Sequence, residues 1–282
     1  MLKRLLANFN KVDSGFIYEL SEVYDLADSN GCFSSEIIKD KLLLVDPWYQ
    51  LVLKMLYSVF DDFKEQVVIE IGCGVGGFLV NISKGCKEVV GLDVSVKAVH
   101  LARDLAKRFG FYEKVNLVVG DAQFLPFRED VGDVVVCSET LEHVPDYERA
   151  FDELVRITKS VGYLCLTIPN FLSTAFFENL ILLLKGQPGY VKSQVCVEKE
   201  HVFHIFKLKR LLNRKKVEII EFRSTDFLHL PPRVRKFLKM DRILKIISNK
   251  LENFFGNHFS SLKLAGANIG VLLRKVDSFK EL

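Results

Sequence analysis

A glycine-rich turn directly after a largely apolar run constrains this chain more than any other stretch. Residues Val67 to Ile71 are mostly β-branched and predict a buried strand. Four glycines follow within six residues, and an apolar helix pattern begins at Phe78. Glycine lets the backbone turn sharply and approach a ligand with no Cβ in the way, and a helix N-terminus offers N–H donors. The stretch therefore predicts a site for a nucleotide-like cofactor at the carboxyl end of the first strand.

Two patterns overlap in this cluster and favour different cofactors. The dinucleotide pattern G-x-G-x-x-G uses Gly72, Gly74 and Gly77, with Asp93 at about the 20-residue distance that such a site has. The pattern E-x-G-x-G-x-G begins at Glu70. An acidic residue at the end of the strand suits a cofactor with an ammonium group, but it would repel a pyrophosphate. We therefore favour the second pattern, with NAD binding and a structural turn without a ligand as the alternatives.

The segment Glu70-Ile-Gly-Cys-Gly-Val-Gly76 resembles motif I of the class I S-adenosylmethionine-dependent methyltransferases. The stretch 134–146 is similar to the O-methyltransferases of ubiquinone biosynthesis and to many type-11 methyltransferases. The resemblance covers about 67–222 and returns at 268–275. It implies S-adenosyl-L-methionine as the cofactor and a Rossmann-like, seven-stranded, mostly parallel sheet with the last strand antiparallel. Helices on both faces and a helical cap complete this expected α/β fold.

The hydrophobic pattern predicts the same class of fold without the resemblance. Strand and helix patterns alternate, which indicates βαβ units and a parallel sheet whose carboxyl ends meet at one edge. The predicted strands are 67–71, 88–93, 114–119, 131–137, 161–168, 216–222 and 268–275, and the predicted helices include 96–109, 146–158 and 206–214. A further helix is expected from Pro47, with Asp46 as its N-cap and an end near Asp61.

The segments around this core are expected to form a cap that selects the acceptor. We predict a helical cap or lid at 1–60, a core at 61–170, a cap insertion at 171–205, core completion by 206–222 and 268–276, and a basic amphipathic insertion at 223–267. Trp48 and Tyr49 either pack on the sheet, which we favour, or close over the cofactor. The cap segments match no substrate-binding pattern, so the acceptor stays open.

Acidic residues at the ends of the strands are the main candidates for cofactor binding. Asp93 can accept both ribose hydroxyls, and the alternative role of capping the next helix suits Ser95 better. The resemblance implies that Asp121 reaches the adenine exocyclic amine, with an Asx-turn as the alternative. It also implies that Ala122 donates to the adenine ring and that the Ser138 carbonyl faces the methionine part. The expected cofactor-binding residues are Glu70, Gly72, Cys73, Gly74, Gly76, Asp93, Val94, Asp121, Ala122 and Ser138.

Glu139, Glu142 and His143 are the candidates for catalysis and for metal binding. Their spacing predicts that they share one face of a turn or short helix. We expect this face to point to where the sulfonium methyl group of S-adenosylmethionine would lie. A hydroxyl acceptor needs a base, for which we predict His143 or Glu139. In some quinone-pathway relatives the matching residues are thought to hold a divalent cation, and two carboxylates and an imidazole can do so. In the alternative interpretation, Glu142 and His143 only orient the loop.

Composition bears on the compartment and on partners. None of the six cysteines is in a C-x-x-C pair, so we expect free core thiols and a cytoplasmic protein. The sequence contains no run of 18 apolar residues, so we expect no membrane-spanning helix. The segment 207–250 carries a local charge of +10 within a net charge of +3. Three interpretations of this segment are open: a solvated surface, a basic amphipathic helix near 233–256 that lies on an anionic membrane, or a surface that contacts RNA. The apolar stripe of the segment favours the membrane over RNA.

These features together predict a methyltransferase that acts on a small-molecule or lipid-like acceptor, with O-methylation as one option. A non-catalytic scaffold subunit that binds S-adenosylmethionine is an alternative from another class. An NAD-dependent oxidoreductase is a third, disfavoured by Glu70 and by the lack of a recognisable hydride-transfer site.

Overall fold

The computed structural model describes residues 47–83, 85–173, 201–213, 216–225 and 266–276. Its strands are β1 (Val67–Ile71), β2 (Glu88–Asp93), β3 (Val115–Val119), β4 (Gly132–Ser138), β5 (Thr158–Pro169), β6 (Val217–Thr225) and β7 (Asn268–Lys275). Its helices are α1 (Pro47–Leu56), α2 (Gly77–Ile82), α3 (Val96–Arg108), a 3₁₀ turn (Leu141–His143), α4 (Tyr147–Ile157) and α5 (Ile205–Leu212).

The seven strands form one sheet in the order β3-β2-β1-β4-β5-β7-β6. The first five strands pair in parallel, and β7 runs antiparallel to both β5 and β6. This confirms the predicted seven-stranded sheet with an antiparallel last strand. Parallel strands need crossover connections, and α2, α3 and α4 supply them on the two faces of the sheet.

Two hydrophobic clusters cover the two faces of the sheet. Side chains alternate along β1, so that Ile69 packs with residues of α4 and α5, whereas Val68 packs with residues of α1, α2 and α3. All five residues of β1 are buried, as expected for a central parallel strand with helices on both faces. Glu70 shares the Val68 face by this alternation.

The helix α1 packs against the antiparallel side of the sheet. A Cβ on Gly270 of β7 would lie 2.6 Å from Met55 and 2.8 Å from Leu51, so the missing side chain lets the helix approach. Tyr49 is buried and stacks on Phe78 with 5.6 Å between the ring centroids. This supports the packing role that we favoured for Tyr49 over a lid.

Three predicted boundaries differ from the structure by three residues or more: the end of the helix from Pro47, the start of β5 at Thr158 rather than 161, and the end of β6. The helix α1 ends at Leu56 rather than near Asp61, because the chain leaves the helix in a turn whose last bond runs from the Phe60 N–H to the Leu56 carbonyl. The strand β6 continues to Thr225, beyond the predicted end at 222, because its last residues still pair with β7.

Most of the predicted cap, at 1–46, 174–200 and 226–265, lies outside the described residues. The basic segment 233–256 is among them, so its contact with a membrane or RNA stays a prediction. In the described part of the chain, no helix combines the length and the apolarity needed to cross a membrane.

Four of the six cysteines lie in the described residues, and all four are buried thiols outside any disulfide: Cys73, Cys86, Cys137 and Cys165. Burial raises the pKa of the Cys86 thiol to about 12 and raises the pKa of Cys137 and Cys165 as well. This confirms the prediction of core thiols for these four. Cys32 and Cys196 lie outside the described residues.

Candidate active site

A cleft opens at the carboxyl edge of the sheet. The strand order reverses between β1 and β4, with β2 and β3 on one side and β5 on the other. Ligands of open α/β sheets bind at such a switch point. The cleft is lined by Gly72, Leu92, Asp93, Val94, Gly120, Asp121, Ala122, Thr140, His143, Val144 and Pro145.

The glycine loop after β1 forms one side of this cleft. Gly72, Gly74 and Gly76 have φ angles of 76°, 52° and 78°, in the left-handed region that favours glycine. The N–H groups of Gly72 and Cys73 both donate to the Leu92 carbonyl, at 2.8 and 3.0 Å, which ties the loop to the end of β2. A Cβ on Gly72 would collide with the side chain of Thr140. The loop therefore requires glycine for both its conformation and its packing.

Asp93 joins the glycine loop to the start of α3. Its Oδ2 accepts from the Gly74 N–H at 2.7 Å, and its Oδ1 accepts from the Ser95 N–H at 2.9 Å. The N-cap of α3 is Ser95, whose Oγ accepts from the Ala98 N–H at 3.1 Å. The cap is thus Ser95, as the sequence favoured, and Asp93 lines the cleft.

Asp121 follows β3 and lines the cleft beside Ala122. Its Oδ1 accepts from the N–H of Gln123 at 2.9 Å, the bond of an Asx-turn. The Gln123 side chain also donates to both carboxylate oxygens, at 2.9 and 3.1 Å. The Asp121 carboxylate therefore forms the Asx-turn that we considered as an alternative. It also faces the cleft.

Two predicted cofactor residues, Glu70 and Ser138, lie at the ends of β1 and β4 next to the lining. Glu70 is 1% exposed and pairs in register with Gly91 of β2 and Val136 of β4. The Ser138 carbonyl accepts from the hydroxyl of Thr140 at 3.0 Å. A buried carboxylate is costly unless a positive charge or hydrogen bonds compensate it.

Of the predicted cofactor residues, the structure places five in the lining of the cleft: Gly72, Asp93, Val94, Asp121 and Ala122. The others lie in β1, in the glycine loop or at the end of β4: Glu70, Cys73, Gly74, Gly76 and Ser138. Sequence reasoning missed Thr140, Val144 and Pro145 of this lining, although they lie within the stretch 134–146 that carries the resemblance. Their apolar or hydroxyl side chains carried no chemical signal of their own.

Glu139, Glu142 and His143, the candidates for a metal site, do not form a metal-binding group in the described part of the chain. Glu139 has a φ of 49°, and its Oε2 accepts from the Nδ2 of Asn268 on β7 at 2.9 Å. Only Glu142 and His143 belong to the 3₁₀ turn, with 3.8 Å between Glu142 Oε1 and His143 Nε2. No three acidic, histidine or cysteine side chains of the described residues are arranged to hold a metal ion. The left-handed backbone of Glu139 takes it out of the helical spacing that the prediction assumed.

His143 is the imidazole of the cleft. Burial lowers the pKa of His143 from 6.5 to about 4, because the imidazolium loses hydration in this wall. The ring is therefore neutral at physiological pH and can accept a proton, as a weak base.

This pKa predicts a loss of stability in acid that depends on His143. The unfolded chain binds the proton near pH 6.5 and the folded chain only near pH 4, so the unfolded state holds more protons in that window. The free energy of unfolding should therefore fall with decreasing pH, by about 2 kcal/mol between pH 7 and pH 5. Urea denaturation at both pH values should show a smaller fall in His143→Gln. The variant His100→Gln, on the exposed side of α3, is the control. Equal falls in wild type and His143→Gln would contradict the burial argument.

Comparison with known proteins identifies the domain. Residues 69–166 match the family described as "Methyltransferase domain". Norajmaline N-methyltransferase of Rauvolfia serpentina is 38% identical over 106 residues, 36% of this chain and 35% of that protein. The chloroplastic tocopherol O-methyltransferase of Arabidopsis thaliana is 33% identical over 103 residues, 36% of this chain and 30% of that protein. The matches thus span about a third of the length of these relatives.

The fold has solved counterparts. A methyltransferase from Aquifex aeolicus that depends on S-adenosylmethionine superimposes with a TM-score of 0.53 at 14% identity, covering 94% of this chain and all of that one. At this identity the likeness concerns the fold alone. It agrees with the topology of the sheet, and the family match agrees with the glycine loop. Residues 69–166, from β1 into β5, therefore match a methyltransferase domain, and the sheet has the fold of a known S-adenosylmethionine-dependent methyltransferase.

Proposed function

We propose that this protein transfers a methyl group from S-adenosylmethionine to a small-molecule or lipid-like acceptor. The observation that carries the proposal is a set of three carboxylates around the glycine loop: Glu70, Asp93 and Asp121. They lie in or directly after β1, β2 and β3, at the edge of the sheet where the cleft opens.

The chemistry of these residues fits this cofactor better than a dinucleotide. A carboxylate only accepts hydrogen bonds. S-adenosylmethionine presents an ammonium group, two ribose hydroxyls and an exocyclic amine, all of which can donate. We assign Glu70 to the ammonium group, Asp93 to the ribose and Asp121 to the adenine amine, with the Ala122 N–H on the ring. The pyrophosphate of NAD would instead meet the charge of Glu70 at the end of β1.

The cofactor site would then be completed by the loop and the strand ends around the three acids. These residues are Gly72, Cys73, Gly74, Gly76, Val94 and Ser138. The cofactor supplies a sulfonium methyl, which is already a reactive donor. The protein's own contribution is to align the acceptor with that methyl and to exclude water from the cleft.

The acceptor side of the cleft is formed by the loop that carries Glu139 and His143. A hydroxyl acceptor must lose its proton, and the neutral His143 ring or the Glu139 carboxylate would take it. The lowered pKa of His143 makes it a weak base, which suits an acceptor that needs little help, such as an amine with a free electron pair. One named relative is an N-methyltransferase and the other is an O-methyltransferase. The proposal therefore includes both nitrogen and oxygen as the acceptor atom.

Calorimetric titration with S-adenosylhomocysteine, with NAD as the control ligand, tests the proposal. We expect S-adenosylhomocysteine to bind with a dissociation constant on the order of micromolar, and NAD to show no heat of binding. Binding of NAD alone would overturn the assignments of Glu70 and Asp121 and indicate an oxidoreductase. Binding of neither ligand would favour a scaffold that keeps the fold without the site.

A further inference from the structure

The side chain of Gln123 uses both of its ends inside the protein. Its Nε2 donates to the two carboxylate oxygens of Asp121, at 2.9 and 3.1 Å. Its Oε1 accepts from the backbone N–H of Asp146 at 3.0 Å. A carboxylate can only accept and a backbone N–H can only donate, so these two partners determine which end of the amide faces which.

Gln123 is held in this position by its own backbone as well. Its N–H donates to Asp121 Oδ1 at 2.9 Å, and its carbonyl accepts from Arg149 Nε at 3.0 Å. The guanidinium of Arg149 lies over the ring of Phe124, 3.8 Å from the centroid. Both residues are buried: Gln123 is 5% exposed and Asp121 is 4% exposed. At such burial, a lost hydrogen bond to a charged group is costly.

These bonds connect two walls of the cleft. Asp121 and Ala122 belong to the wall after β3, whereas His143, Val144 and Pro145 belong to the wall after β4. Asp146 follows directly as the N-cap of α4, where its Oδ1 accepts from the Arg149 N–H at 3.0 Å. The Gln123 amide thus spans from the carboxylate of the first wall to the backbone that ends the second.

We infer that Gln123 is a positioning residue that aims the Asp121 carboxylate at the adenine amine and holds the β3 wall against the loop that carries His143. This inference rests on the proposed function, because that function makes Asp121 the acceptor for the amine. Gln123 itself contacts Asp121 and not the ligand. Its expected effect is therefore on selectivity for the amine, through the orientation of Asp121.

The test compares two ligands that differ at the position that Asp121 reads. S-adenosylhomocysteine carries an amine there, whereas its analogue with an unsubstituted purine ring carries only a hydrogen atom, which offers the carboxylate no donor and leaves the ring nitrogens as acceptors. The ratio of their dissociation constants, measured by calorimetry, reports the orientation of Asp121. A general loss of stability lowers both affinities together and leaves the ratio unchanged, so the ratio separates positioning from a merely structural role.

Three variants divide the roles of the amide. We expect Gln123→Leu, which removes both ends, to reduce the ratio by about tenfold or more, the worth of a hydrogen bond to a charged group. Gln123→Glu keeps an oxygen for the Asp146 N–H but sets a like charge against Asp121, so it should lose selectivity while the two walls stay connected. Gln66→Leu, just before β1 at the other edge of the sheet, is the matched control and should leave the ratio unchanged.

A double-mutant cycle tests whether Gln123 acts through Asp121. Asp121→Asn should by itself abolish most of the selectivity, and adding Gln123→Leu should then change the ratio little, because the two residues form one unit. If both Gln123 variants keep the wild-type ratio while wild type binds S-adenosylhomocysteine, the inference is wrong and the proposed function stands. If wild type binds neither ligand, both fail. Thermal unfolding of each variant verifies its fold, and Gln123→Glu decides the case if Gln123→Leu does not fold.

Discussion

Gly72→Ala should strongly weaken binding of S-adenosylhomocysteine and destabilise the domain. The residue has a φ of 76°, a conformation that costs a residue with a Cβ about 1–2 kcal/mol. The new methyl group would also collide with the side chain of Thr140, which bonds the Ser138 carbonyl. The loop must shift to relieve this, and a shift of about 1 Å in a binding site can cost roughly a hundredfold. Calorimetry and urea denaturation measure the two effects.

Gly110→Ala is the matched control for this prediction. Gly110 has almost the same φ, 75°, but a Cβ there would have no atom within 4 Å. It therefore carries the backbone strain without the collision, far from the cleft in the turn after α3. We expect a loss of about 1–2 kcal/mol in stability with unchanged binding. If Gly72→Ala binds as wild type does, the glycine loop is not part of the ligand site.

Asp93→Ala should have the second largest effect, again on both binding and stability. The substitution removes the acceptor for the N–H groups of Gly74 and Ser95. A buried donor without a partner costs about 1–3 kcal/mol, and the glycine loop loses its tie to the start of α3. Under the proposed function the ribose loses its acceptor as well, so we expect affinity for S-adenosylhomocysteine to fall by at least about a hundredfold, the sum of two lost charged hydrogen bonds.

Asp133→Ala separates these two losses. The Asp133 carboxylate also accepts from a backbone N–H, that of Val67 at 2.9 Å, and pairs with Lys159 at 2.7 Å. It lies at the start of β4, at the edge of the sheet away from the cleft. We therefore expect a comparable loss of stability with little change in affinity. Equal losses of affinity in the Asp93 and Asp133 variants would mean that Asp93 acts only through the stability of the domain.

The sheet and the edge at which the cleft opens could be predicted from the sequence because their signals are local. Short β-branched runs indicate strands, and their alternation with helix patterns indicates parallel pairing. The glycine cluster needs only its neighbours in the chain to form a tight turn. An acid directly after a strand reaches the carboxyl edge of the sheet whatever the rest of the chain does. Asp93 and Asp121 accordingly line the cleft at this edge.

The metal option for Glu139, Glu142 and His143 assumed a helical spacing for the three residues, which the structure does not have. Glu139 has a left-handed backbone, and its carboxylate is bonded to Asn268, which is 129 residues away along the chain. A pattern of neighbouring letters carries no information on either fact. The same holds for Thr140, whose hydroxyl and methyl lie against Gly72 only because β1 and β4 pair side by side.

By itself, then, the sequence determined the class of fold, the order of helices and strands, and the acidic residues at the carboxyl edge of the sheet. Each of these follows from the periodicity and chemistry of adjacent residues. Only the tertiary structure decided which side chains meet across the cleft: Thr140 against Gly72, Glu139 with Asn268, and Gln123 between Asp121 and Asp146. These contacts depend on the register of strands and on the turn of each loop. Both are set by the packing of the whole domain rather than by local preference.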